Sequence, residues 1–162
     1  MTTIQLELPE WSAAIDAAWL RIVTSAAKGL NAATTYRRSM VERVSEELVG
    51  AAGEMAVAKW RGKFFLPHLN TFHKVADCGG VEVRSTSHAS GHLILRDNDP
   101  ADRRYVLAIV GRDGVTLAGW IQGREGRQPE WRRASRTSDR PAWWVPQESL
   151  MAMDSLLERA ST

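Results

Sequence analysis

The sequence predicts an α/β chain of the α+β kind, in which N-terminal helices precede a central mixed, mostly antiparallel sheet and a helix closes the chain. Three observations predict it. Apolar residues recur at intervals of three and four as far as Arg61, short apolar runs bounded by turn residues follow Gly62, and a helical pattern returns at Gln147. With 162 residues the chain has the size of one domain and can bury a continuous core without disulfides, so residues 1–162 are read as one unit.

The first helix is predicted over Trp11 to Lys28, with Trp11, Ile15, Ala18, Trp19, Ile22, Val23 and Ala26 on its apolar stripe, ended by Gly29 and Asn31. The second runs from Tyr36 to Arg61, with Met40, Val41, Val44, Leu48, Ala51, Ala52, Met55 and Ala58 on one face. Gly50 and Gly53 inside it each cost about 1 kcal/mol relative to alanine, which points to a close approach by another backbone. Strands are predicted at Lys63–Leu66, Lys74–Asp77, Val81–Thr86, His92–Arg96, Tyr105–Val110 and Val115–Ile121, separated by CGG, HASG, DNDPAD and GRDG, and paired as antiparallel hairpins. Gln122 to Arg140 has no apolar period and is expected to be a loop. A strand at Trp143–Val145 and a helix over Gln147–Arg159 complete the order.

The single cysteine, Cys78, excludes an intrachain disulfide and a cysteine-based zinc site. His68, His73, His88 and His92 lack ligand spacing, so no zinc site is expected. MTTIQLELPEW lacks the pattern of a signal peptide, and no window approaches the roughly 20 apolar residues of a membrane span. A cytoplasmic protein without a membrane partner is therefore expected. Net charge is only +2, but Arg124, Arg127, Arg132, Arg133, Arg136 and Arg140 crowd one segment, a candidate phosphate-binding surface.

Glu54 in the long helix, Asp77 at the end of a short strand, and Glu82 with Arg84 in VEVRST follow one another in order. Glu82 and Arg84 are two apart and share a strand face, leaving Val81, Val83 and Ser85 on the other. In this order the residues resemble the PD-(D/E)xK restriction-endonuclease-like superfamily, whose pattern is a helix acid, an Asp and an acid-x-Lys on a strand. The resemblance covers residues 47–84 and extends loosely to LILRD, YVLAIV and Gly119, Trp120, Ile121, a segment similar to one in small phage and bacterial members. It implies a restriction-endonuclease-like core, Asp77 and Glu82 as ligands of Mg²⁺ or Mn²⁺, and Glu54 supporting the metal directly or through water. Arg84 stands where the family has lysine. It keeps its charge and cannot serve as a base, but its planar fork can hold a phosphate oxygen or orient water.

These readings make a metal-dependent deoxyribonuclease the leading expectation, with a structure-selective enzyme as one form of it. Its catalytic residues would be Glu54, Asp77, Glu82 and Arg84, with Arg84, Arg124, Arg127, Arg132, Arg133 and Arg136 on DNA and a homodimer implied by the resemblance. An inactive nucleic-acid-binding protein on the same scaffold, and a protein-interaction or inhibitor module, are the alternatives. His88, His92, Ser85 and Thr86 flank the expected pocket. Trp11, Trp19, Trp60 and Trp120 read as core, whereas Trp131 reads equally as a base-stacking wedge or as a loop anchor.

Overall fold

Both long helices start at residues that satisfy their first backbone donors. In the computed structural model, which describes residues 1–28, 39–65, 80–135 and 138–158, helix α1 spans Leu8–Ala27 with Pro9 in its first turn, and the Glu7 N–H donates to Glu10 Oε2 at 2.6 Å. Helix α2 spans Met40–Trp60. There Ser39 Oγ accepts the Glu42 N–H at 3.2 Å while the Glu42 carboxylate accepts the Ser39 N–H at 2.7 Å.

The helices meet on small side chains. Ala14 and Ala17 of α1 pack against Ala51 of α2, and this alanine seam decides which face of α1 is inside. Ala14, Ala17, Ala18, Arg21, Ile22 and Ser25 are buried, whereas Ile15, Trp19 and Val23, expected inside, face outward, Trp19 with 55% of its surface exposed. At the seam itself the contact is made by alanines, and the indole of Trp19 is left on the outer face. On α2 every residue from Ala51 to Ala58 is buried, because α1 covers one side and a sheet covers the other, while Met40 and Val41 lie beyond the seam and are exposed.

That sheet, A, has the order β1-β5-β4-β2, formed by Thr2–Ile4 (β1), Val81–Thr86 (β2), Arg104–Gly111 (β4) and Gly114–Gln122 (β5). β4 and β5 form the expected antiparallel hairpin, but β2 runs parallel to β4, with Glu82 beside Tyr105 and Arg84 beside Leu107. β1 was not expected from the sequence, and Lys63–Phe65 is not a strand. The expected strand at Lys74–Asp77 lies outside the described residues.

The second sheet, B, has the order β3-β7-β6: Leu93–Leu95 (β3), Ser138–Val145 (β7) and Arg132–Ser135 (β6). The segment expected to be a loop therefore contains a single 3₁₀ turn at Pro129–Trp131, all of β6 and the start of β7. The expected C-terminal helix is interrupted as well. Gln147–Ser149 is a 3₁₀ turn, and Met151 exchanges both backbone hydrogen bonds with Trp120, at 3.0 and 2.8 Å, which holds the chain extended until α3 at Asp154–Glu158.

Two cores result. Val81, Val83, Val106, Val115, Leu117 and Trp120 turn one face of sheet A to α2. Tyr105, Leu107, Ala118 and Ile121 turn the other to Leu93, Leu95, Trp143 and Val145 of sheet B. The layers are thus α1, α2, sheet A, sheet B, a mixed α+β architecture. Trp120 is core as expected, Trp11 and Trp60 are half-buried against it, and Trp131 packs on the second core as a loop anchor.

Gly53 sets the distance between α2 and sheet A. A Cβ placed there would overlap Ser85 Oγ and stand 3.0 Å from the Ala108 Cβ. Gly53→Val should therefore lower the unfolding free energy by about 2 kcal/mol or more through overpacking, read as a lower urea midpoint. An unchanged midpoint would mean that α2 shifts freely on the sheet.

Candidate functional site

Strand alternation sends Glu82 and Arg84 to the face of sheet A that looks at sheet B, since Val81 and Val83 occupy the face under α2. The neighbouring Tyr105 faces the same way. Glu82 is 5% exposed and accepts a hydrogen bond from Arg103 Nη1. Arg84 Nη2 donates to Asp99 Oδ1 at 2.8 Å and its guanidinium lies 5.3 Å from the centre of the Tyr105 ring. Asp99 is 3% exposed, and its second oxygen accepts the Arg96 N–H at 2.9 Å. The result is a row of alternating charges: Arg103, Glu82, then Arg84, Asp99.

Tyr105 lies within this row and its hydroxyl donates to the Pro100 carbonyl at 3.0 Å. Burial, and after it the Asp99 carboxylate, push its phenol up from 10.0 to about 12, with Arg84 pulling the other way.

Glu54 belongs to a different place. Its carboxylate is held by both arms of Arg21, Nη1 to Oε1 at 2.9 Å and Nη2 to Oε2 at 2.6 Å, in the buried seam between α1 and α2. Sheet A lies between α2 and the face that carries Glu82. The structure thus joins Glu82 with Arg84 and leaves Glu54 on the other side of the sheet. Asp77 and Arg136 lie outside the described residues.

This arrangement bears on the metal that the resemblance implies. Glu54 is turned to α1, Glu82 is paired with Arg103, Asp99 is paired with Arg84, and no group of three or more His, Cys, Asp or Glu converges on one ion position among the described residues. The described acids do not fit a shared site for Mg²⁺ or Mn²⁺ with Glu54 as a member.

What the fold does build is a cleft of about 1000 Å³ alongside β3. It starts at Arg84 and Leu107 on sheet A, passes the turn from Thr86 to His92, and reaches Ile94 and Trp144 on the outer face of sheet B. Arg96 also lines it. Arg133 stacks 5.3 Å over Trp144, which puts a further guanidinium at the rim. Arg132 stacks 4.3 Å over Trp143 and pairs with Asp97 at 3.2 Å.

The other expected phosphate contacts are placed differently. Arg127 donates to the Asp99 carbonyl and stacks 5.4 Å over Trp143, so it braces the turn beneath Arg84 and does not present itself outward. Arg124 bonds the Gln122 side chain at 3.0 Å at the end of β5.

Sequence reasoning missed Arg21, Arg96, Asp99, Arg103 and Trp144. Arg21 had a signal, since it falls four residues after Ala17 and four before Ser25 on the seam of α1. Asp99 had none, because nothing in DNDPAD distinguishes the acid that turns inward from its neighbours. Comparison of the chain with protein-family models, curated proteins and solved structures finds no match.

The seam pair carries stability. Glu54→Ala should cost about 3 kcal/mol or more by taking from the buried Arg21 the carboxylate that holds both its arms, whereas Arg21→Met with Glu54→Leu should recover most of that loss. Denaturant unfolding of the three variants checks this, and a negligible loss in the single variant would contradict it.

Tyr105 carries a pH dependence. Its neutral phenol is favoured in the folded chain, and the unfolded chain gives up the proton at an ordinary value of 10.0, so the stabilisation is full below 10.0 and is lost as pH rises towards about 12. Over that window the unfolding midpoint of the wild type should fall more steeply than that of Tyr105→Phe. Parallel curves would show that the phenol is not held this way.

Proposed function

We propose that the protein binds the phosphate backbone of a nucleic acid along the cleft beside β3. The observation that supports this most directly is the convergence of Arg84 and Arg96 with Trp144, which carries Arg133 over its ring. Guanidinium groups held in place by a carboxylate or an indole lose little freedom on meeting a phosphate, and their planar forks suit its oxygens. Asp99 and Asp97, the nearby acids, are each engaged by an arginine, so the surface presented to a ligand is cationic although the chain as a whole carries only +2.

Phosphodiester hydrolysis is the second reading. It is favoured by Glu82 and Arg84 standing two residues apart on one strand face, the spacing behind the resemblance to PD-(D/E)xK nucleases. It would rest on Glu82 and Asp77 without Glu54, and on Mg²⁺ or Mn²⁺ as the implied ion. Metal-dependent cutting of DNA that is lost in Asp77→Ala with Glu82→Ala would establish it, and binding without cutting would leave the binding role alone.

Binding has its own signature. Affinity for a labelled DNA should fall steeply with salt, and replacing Arg96 and Arg133 together by alanine should reduce the slope of log K against log salt by about 1.5, since each lost phosphate contact removes about 0.7 to 0.9. Salt-independent binding, or a slope unmoved by the double variant, would remove the nucleic acid and favour a protein partner.

A further inference from the structure

The cleft has more than charge. Beside its arginines stand Trp144, half-buried, His92, whose ring meets the indole edge-on at 6.3 Å and 70°, and Ile94, paired with Trp144 across β3 and β7. Phosphates alone need none of these groups. Accessible aromatic and apolar surface next to guanidinium groups is what an unpaired base requires, with its face on a ring and its phosphate on a cation. A duplex keeps its base faces stacked inside and offers its backbone first.

Resting on the phosphate-binding reading above, we infer that this cleft takes an unpaired nucleotide of a single strand. The base lies against Trp144, His92 and Ile94, and the flanking phosphates lie on Arg84, Arg96 and Arg133. A volume of about 1000 Å³ is at the upper end of small-ligand sites and accommodates a nucleotide together with its neighbour's phosphate. Arg84, fixed between Asp99 and the Tyr105 ring, and Arg133, fixed on Trp144, flank the position of the base.

The test is a fluorescence-anisotropy titration of the full chain with a labelled oligothymidine and with a duplex of the same length, at one salt concentration. The single strand should bind about tenfold tighter or more, the scale of one base stacked on an aromatic ring. Trp144→Leu should weaken single-strand binding about tenfold more than duplex binding. His92→Ala, a change in a turn that leaves β7 intact, should narrow the preference in the same direction. Equal affinity for both forms, a preference that survives both variants, or a mononucleotide that competes as well as the strand would overturn the inference while leaving phosphate binding in place. Binding to neither form would overturn the phosphate reading as well, and this inference with it.

Discussion

The buried stretch Ala51–Ala58 of α2 is enclosed on two sides, and most of the molecule follows from that enclosure. On one side the alanines of α1 come close, and the charged pair Arg21 with Glu54 is buried beside them. On the other side Gly53 lets the helix settle onto Ser85 and Ala108 of sheet A. The helix then covers Val81 and Val83, and strand alternation leaves Glu82 and Arg84 no alternative but the opposite face. The position of the charged row therefore depends on a contact made on the far side of the sheet.

The consequence for the chemistry is a separation. Three acids that follow one another in sequence look like one constellation, but the helix acid is committed to holding two helices together. Its burial beside a guanidinium is a requirement of the seam, because an unpaired charge there would be costly. The acid that does stand next to Arg84 is Asp99, which comes from a turn and not from a strand or helix. By engaging Arg84 through one oxygen and the Arg96 backbone through the other, it fixes the turn and the guanidinium together.

Legibility in the sequence followed the source of each element's order. β2 was readable as Val81–Thr86 because its alternation is its own, and α2 because Val44, Leu48, Ala52 and Met55 repeat on one face. The buried face of α1 was not readable, since alanine and arginine on the seam outrank tryptophan and isoleucine on the outside, which no hydropathy pattern anticipates. β1 is three residues long and takes its order from pairing with β5 and from Ile4 packing on the core. β6 has no apolar alternation at all. Arginine planes on Trp143 and Trp144 replace it, and the tryptophans lie at the far end of the hairpin. Of the candidate site, Glu82, Arg84 and the arginine-rich segment were visible. Their partners were not, because Asp99, Arg103 and Trp144 gain meaning only from the parallel pairing of β2 with β4 and from the second sheet.

The Arg–Trp stacking of β6 has a further effect. In the order β3-β7-β6 this strand is an edge of sheet B, and an edge presents backbone groups that a strand from another molecule can join. Here the edge is four residues long and carries Arg132 and Arg133, both exposed, so a second copy approaching edge-on would have to bring like charges together. The same guanidinium groups that give the strand its order thus also protect the chain against sheet-to-sheet aggregation.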